Sequence, residues 1–209
     1  MHDIKKDYGE LFHTENRTLL NVIHWCLRKN MVQQAVTLYS ERMADEFVKQ
    51  KVIYFSPKMT EWKNLLESSH FSIEYDYLNG YLSYFLKQRC KSKSRKEQCQ
   101  CIVDLAARQA DKDERKALAY EIRMDIKYVD KKDQVANCLI NYYEFKRLVR
   151  HSINHASTKP IKANNLKRSL ILSKEVKEKI KSNNEEIGID EFILILNDII
   201  EQNKRIGMN

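Results

Sequence analysis

Apolar residues recur at three-and-four spacing along residues 137–155, NCLINYYEFKRLVRHSINH: Leu139, Ile140, Tyr143, Leu148, Val149 and Ile153, with Phe145 at the weak edge of the stripe. Such spacing gathers them on one face of an α-helix and predicts a helix packed into a core. Little in the rest of the chain permits another solution. Four glycines and two prolines in 209 residues leave few of the breakers that punctuate sheets and turns. No internal repeat, glycine-rich phosphate loop or alternation of strand and helix patterns is present. The expected class is therefore all-α, a multi-helix bundle with little or no sheet, and 43% hydrophobic residues are enough for one core over 1–209.

Read in order, a polar leader precedes Thr14, an N-cap with Arg17 where a capping box would want Glu, and a first helix runs to about Lys29. A second helix over 32–49 follows Asn30, with Val32, Ala35, Val36, Tyr39, Met43 and Phe47 as its apolar stripe, so the two form a hairpin. Residues 51–55 are β-branched and aromatic but lack an evident partner, and read as extended linker or helix end. Ser56 and Pro57 suit the cap and first position of a short helix to Leu66. The aromatics Phe71, Tyr75, Tyr77, Tyr81, Tyr84 and Phe85 read as core. Helices over about 96–108 and 112–127 lead to the long helix at about 131–156, which must end before Pro160. Residues 157–169 read as a polar loop. A helical extension covers about 171–207: Ser173 caps the charged segment KEVKEKIK, and Asp190 caps a last helix that Gly207 stops. That helix carries Phe192, Ile193, Leu194, Ile195, Leu196, Ile199 and Ile200, a stripe to be buried in the domain or against a second subunit.

No apolar run reaches the length of a membrane span, and MHDIKKDYGE lacks the apolar core of a signal peptide, so a cytoplasmic protein without a membrane is expected. Cys26, Cys90, Cys99, Cys101 and Cys138 are odd in number and scattered. They imply neither a disulfide framework nor a zinc site, since no paired CxxC or neighbouring histidine completes a tetrahedral set. Likewise Asp104, Asp111, Asp113 and Glu114 have no spacing tied to phosphate-bound magnesium, and no metal or cofactor is expected. Thirty-seven basic against 29 acidic residues give a formal charge of +8. Much of it lies in KQRCKSKSRK, a mobile-loop pattern whose Lys91, Lys93 and Arg95 could hold the phosphates of single-stranded RNA.

The end of the long helix holds the chemistry. Lys146, Arg147, Arg150, His151, Asn154 and His155 place two imidazoles and several cations close together in sequence. Imidazole exchanges a proton near neutral pH and guanidinium offsets charge on a phosphate, which together suit phosphodiester cleavage without a metal. A basic helix end that merely offsets the helix dipole would look similar.

Arg150-His151-Ser152-Ile153-Asn154-His155 resembles the Arg-x4-His signature of the HEPN superfamily of helical ribonucleases. Leu20-Asn21-Val22-Ile23-His24-Trp25-Cys26-Leu27 and Gln33-Gln34-Ala35-Val36-Thr37-Leu38 are similar to the opening helices of the HEPN domain in accessory ribonucleases of type III CRISPR systems. The resemblance spans roughly 10–156, and departs at His151, where such enzymes often carry Asn.

It implies a metal-independent endoribonuclease that cuts single-stranded RNA to 2′,3′-cyclic phosphate and 5′-OH ends in antiviral defence. His155 would be the general acid or base and Arg150 the phosphate clamp, with His151 and Asn154 positioning and Lys146 and Arg147 giving electrostatic support. The sensor domain for cyclic oligoadenylate that such enzymes carry has no counterpart here, so an isolated HEPN domain or a stand-alone HEPN toxin is expected. In a regular helix, positions five apart point about 140° from one another. Arg150 and His155 therefore meet one phosphate only if the helix is distorted or if a homodimer builds a composite site, as the resemblance also implies. The alternative is a helical module that binds RNA or a protein without chemistry.

Overall fold

The computed structural model describes residues 18–55, 82, 94, 97, 124–126, 131–150, 161–180 and 186–208. Helix α1 (Leu19–Arg28) starts where the Thr18 hydroxyl accepts the Asn21 N–H at 3.4 Å. Thr18 thus has the role expected of Thr14, which lies outside the described residues. Helix α2 (Val32–Lys49) has the predicted bounds, and Ala35, Val36, Tyr39, Met43 and Phe47 of its stripe are fully buried.

Both helices stop in the same way. Asn30 and Lys51 take left-handed backbone at φ 57° and 55°. The Asn30 and Met31 N–H groups then donate back to the Leu27 and Cys26 carbonyls at 3.1 and 2.8 Å, and the Lys51 and Val52 N–H groups to Val48 and Phe47, both at 2.9 Å. These crossed bonds satisfy carbonyls that a helix end would otherwise orphan.

Beyond Lys51 the reading of 51–55 as linker needs correction. Strand β1 (Ile53–Phe55) pairs antiparallel with β2 (Met124–Ile126), with Ile53 opposite Ile126 and Phe55 opposite Met124. Met124–Ile126 is thus a strand where the sequence pattern predicts the end of a helix over 112–127. A three-residue strand whose partner is some seventy positions away leaves no local pattern to read. The fold remains all-α in class, with this pair its one sheet among the described residues.

Helix α3 (Lys132–Phe145) runs into a π-helical turn, Lys146–Arg150. Two further readings are corrected. Residues 163–169, expected as loop, form helix α4 (Ala163–Ser169), anchored by buried Ala163 and Leu166. Helix α6 (Ile189–Arg205) is capped at Gly188, not Asp190: the Glu191 carboxylate reaches back to accept the Gly188 N–H at 2.8 Å, which is half of a capping box. Between them α5 (Lys174–Lys179) begins at Ser173 as predicted, its hydroxyl accepting the Val176 N–H at 3.4 Å. Gly207, at φ 92°, ends α6.

The α1–α2 hairpin packs on α3 and α6, and α6 lies against α3, α1 and α5. Tyr39, Phe47, Tyr142, Phe145 and Phe192 meet where these helices cross: Tyr39 and Phe145 are edge-on at 5.2 Å, and Phe145 and Phe192 lie 5.6 Å apart. Phe145 is fully buried rather than peripheral, and Tyr142, absent from the predicted stripe, is as well. Burying each such ring contributes roughly 1.5–3 kcal/mol. In α6, Phe192, Ile195, Leu196, Ile199 and Ile200 are covered within the chain, and Ile193 and Leu194 pack partly against the same core. The stripe accordingly gives no argument for a second subunit.

Ser94 and Glu97 exchange hydrogen bonds as a full capping box, with Glu97 helical, near the helix start expected at about 96. Leu82 is buried. The rest of the readings over 56–123, including the short helix after Pro57 and the aromatic segment, lie outside the described residues. Among the described residues no helix is long and apolar enough to cross a membrane.

Candidate functional site

Sequence places the cationic cluster at the end of α3, and three layers of packing fix where that end lies. Phe145 is wedged between Tyr39 and Phe192. Val149, in the π-helical turn, is fully buried, and the turn packs on α2. Below it the Tyr142 hydroxyl donates to the Ser40 carbonyl at 3.4 Å. No proline or glycine lies in the turn, so its widening accompanies this packing and not a breaker residue.

A π-helical turn closes through bonds five residues back instead of four, and such turns are frequent at functional sites. It acts as a one-residue insertion, offsetting the side chains on its two sides by about 100° relative to a continued α-helix. Arg150 is the last residue of this turn. His151, Asn154 and His155 lie outside the described residues, as do Lys91, Lys93 and Arg95.

Lys146 is half-buried at the start of the turn. Arg147 is committed to Glu144: its Nε and Nη2 donate to Glu144 Oε2 at 3.0 and 2.6 Å. Glu144 is buried, so the pair offsets a carboxylate that would be costly alone. Sequence reasoning makes Arg147 a supporting charge and passes over Glu144. The three-residue spacing of an acid and a base on one helix is the signal that could have found the pair.

Other reactive groups are set apart from this end. Cys26 and Cys138 are buried thiols whose pKa burial raises, Cys138 to about 12, so both pack as small hydrophobes, as predicted. His24 on α1 is held below its ordinary value by burial and then by Lys204 and Arg28, with Glu201 opposing. No group of three His, Cys, Asp or Glu side chains with metal-binding geometry occurs among the described residues. Comparison with protein-family models, with characterised proteins and with solved structures gave no match.

Proposed function

We propose that the chain is a metal-independent endoribonuclease of single-stranded RNA, acting in antiviral defence of the CRISPR-linked kind. The observation that supports this most is the π-helical turn ending on Arg150, a local departure from α geometry at the first residue of the Arg-x4-His signature. In the proposed reaction the 2′-oxygen attacks the adjacent phosphorus as the bond from phosphorus to the 5′-oxygen breaks. The products are a 2′,3′-cyclic phosphate and a 5′-OH. His155 takes the proton from the 2′-OH or delivers one to the leaving 5′-oxygen. Arg150 pairs its planar fork with two phosphate oxygens and offsets the charge that grows there. His151 and Asn154 position these groups, Lys146 adds to the local positive field, and the homodimer supplies the site from both copies.

Labelled single-stranded RNA incubated with the protein in excess chelator tests the reading. Fragments with cyclic phosphate ends, lost in His155→Ala and in Arg150→Ala, are expected. RNA that is bound but stays intact with the native protein would make the chain a binding module instead.

A further inference from the structure

A second polar site lies at the opposite end of α3. Gln134, Asn137 and Cys138 from its first two turns face Gln202 and Arg205 from the last turns of α6 across a cavity of about 200 Å³. This is below the roughly 300–1,000 Å³ that encloses a drug-sized ligand, so the cavity suits one compact group.

The polar lining is mostly uncommitted. Gln202 is engaged, donating to the Ile171 carbonyl and to Asp198, both at 3.0 Å, and it forms a fixed wall. The Arg205 guanidinium and the Gln134 and Asn137 amides, by contrast, make no hydrogen bond or ion pair among the described residues. Among the described residues no carboxylate is part of the lining; Asp133 and Glu201, each one position from a lining residue, are outside it, and Asp198 is held by the Gln202 amide. The buried Cys138 thiol is uncharged at neutral pH, its pKa pushed up to about 12.

The Arg205 guanidinium is the one charged group of the lining among the described residues. α3 directs the positive end of its dipole here. α6 ends here too, which would repel an anion, but Lys131 Nζ donates to the Arg205 carbonyl at 3.1 Å and offsets that end with a second cation. A guanidinium fork satisfies two oxygens of an oxyanion, and two separate amides reach further ones. A carboxylate has only two oxygens to offer, whereas a phosphate has more.

We propose that the cavity between α3 and α6 binds a phosphate group, with Arg205 as its principal ligand and Gln134 and Asn137 as donors to the remaining oxygens. The site lies at the other end of α3 from Arg150, and its test does not depend on RNA cleavage.

Two probes distinguish the source of the phosphate. Inorganic phosphate and adenosine 5′-monophosphate are titrated at constant ionic strength into the full chain labelled with nitrogen-15, with the Arg205 Nε and the Gln134 and Asn137 side-chain amides followed by NMR. Saturable shifts of these signals are expected. Arg205→Gln should weaken binding about tenfold or more, as loss of a charge-assisted bidentate contact does. Gln134→Leu should weaken it less, while Lys204→Gln, one position along α6, and His155→Ala should leave it unchanged. Equal affinities would identify a free-phosphate site, and tighter binding of the nucleotide a site for a nucleotide's phosphate end. Absence of saturable shifts with both probes, or shifts equal in Arg205→Gln, would overturn the proposal.

Discussion

Asn141 holds both backbone polar groups of Ile171: its Nδ2 donates to the Ile171 carbonyl at 2.9 Å, and its Oδ1 accepts the Ile171 N–H at 2.7 Å. Gln202 closes the arrangement, donating to the same carbonyl while its Oε1 accepts from Asn141 at 3.0 Å. The strap between α4 and α5 is thereby tied to α3 in the middle of the buried core. Asn141→Ala should strand an N–H and part of a carbonyl, costing about 2–4 kcal/mol, readable as a lower urea midpoint with an unchanged slope. A loss below about 0.5 kcal/mol would show that water replaces the amide.

Lys51 is an exposed, non-glycine residue in left-handed backbone at the end of α2. Strain there is about 1–2 kcal/mol, and glycine's larger unfolded-state freedom returns about half of it. Lys51→Gly should therefore raise stability by up to about 1 kcal/mol in chemical denaturation. Lys51→Ala, which keeps the strain, should not.

Glu144 holds Arg147 in a local ion pair. Glu144→Gln should release a positive charge beside the signature and, if RNA runs past this helix end, steepen the slope of log affinity against log salt by about 0.7. Filter binding at several salt concentrations reads the slope; an unchanged value would place Arg147 away from the RNA path.

For His24 the sign is fixed by the direction of its shift. Its folded pKa is lowered from the ordinary 6.5 by burial, Lys204 and Arg28. Below pH 6.5 the unfolded chain takes up a proton that the folded chain resists, so this stabilisation is present above 6.5 and lost as the pH falls through the folded pKa. His24→Gln should flatten the decline in melting temperature between pH 7 and 5 relative to the native protein. Parallel curves would mean that His24 is as open to protonation as in the unfolded chain.

Mixing tests the proposed composite site. Wild-type subunits combined with an excess of His155→Ala subunits should lose or gain activity per wild-type chain as heterodimers form, because each site draws on both copies. Activity per wild-type chain that stays constant while heterodimers demonstrably form would mean that each subunit works alone.

Strong, long-range periodicity was what the sequence made legible. Helix α2 was readable to the residue, because its stripe is regular, begins just after Asn30 and gives way after Lys49 to a β-branched and aromatic run without helical spacing. The candidate site was legible only as a motif: Lys146, Arg147 and the backbone of Arg150, at the end of the π turn, fall among the described residues, and the rest of the motif lies outside them. Three things were not legible, each for a physical reason. β1 and β2 are too short to show alternation and find each other only in the folded chain. Ala163–Ser169 hides its helix because just Ala163 and Leu166 face inward. The π turn has no breaker residue to announce it.

Helix α6 has apolar residues at seven of the nine positions from Phe192 to Ile200, with only Asn197 and Asp198 interrupting them, so greasiness alone would let it rotate or slide a turn at little loss. Its polar residues remove that freedom. Asp198 accepts the Ser173 N–H at 2.8 Å, Gln202 reaches Ile171, and Asn203 donates to the Tyr39 hydroxyl at 3.4 Å from a fully buried position. Asn203 leaves its own Oδ1 unpartnered there, a cost a leucine would not incur. These residues work as the cuts of a key, spending stability to make one alignment of α6 distinct from its neighbours.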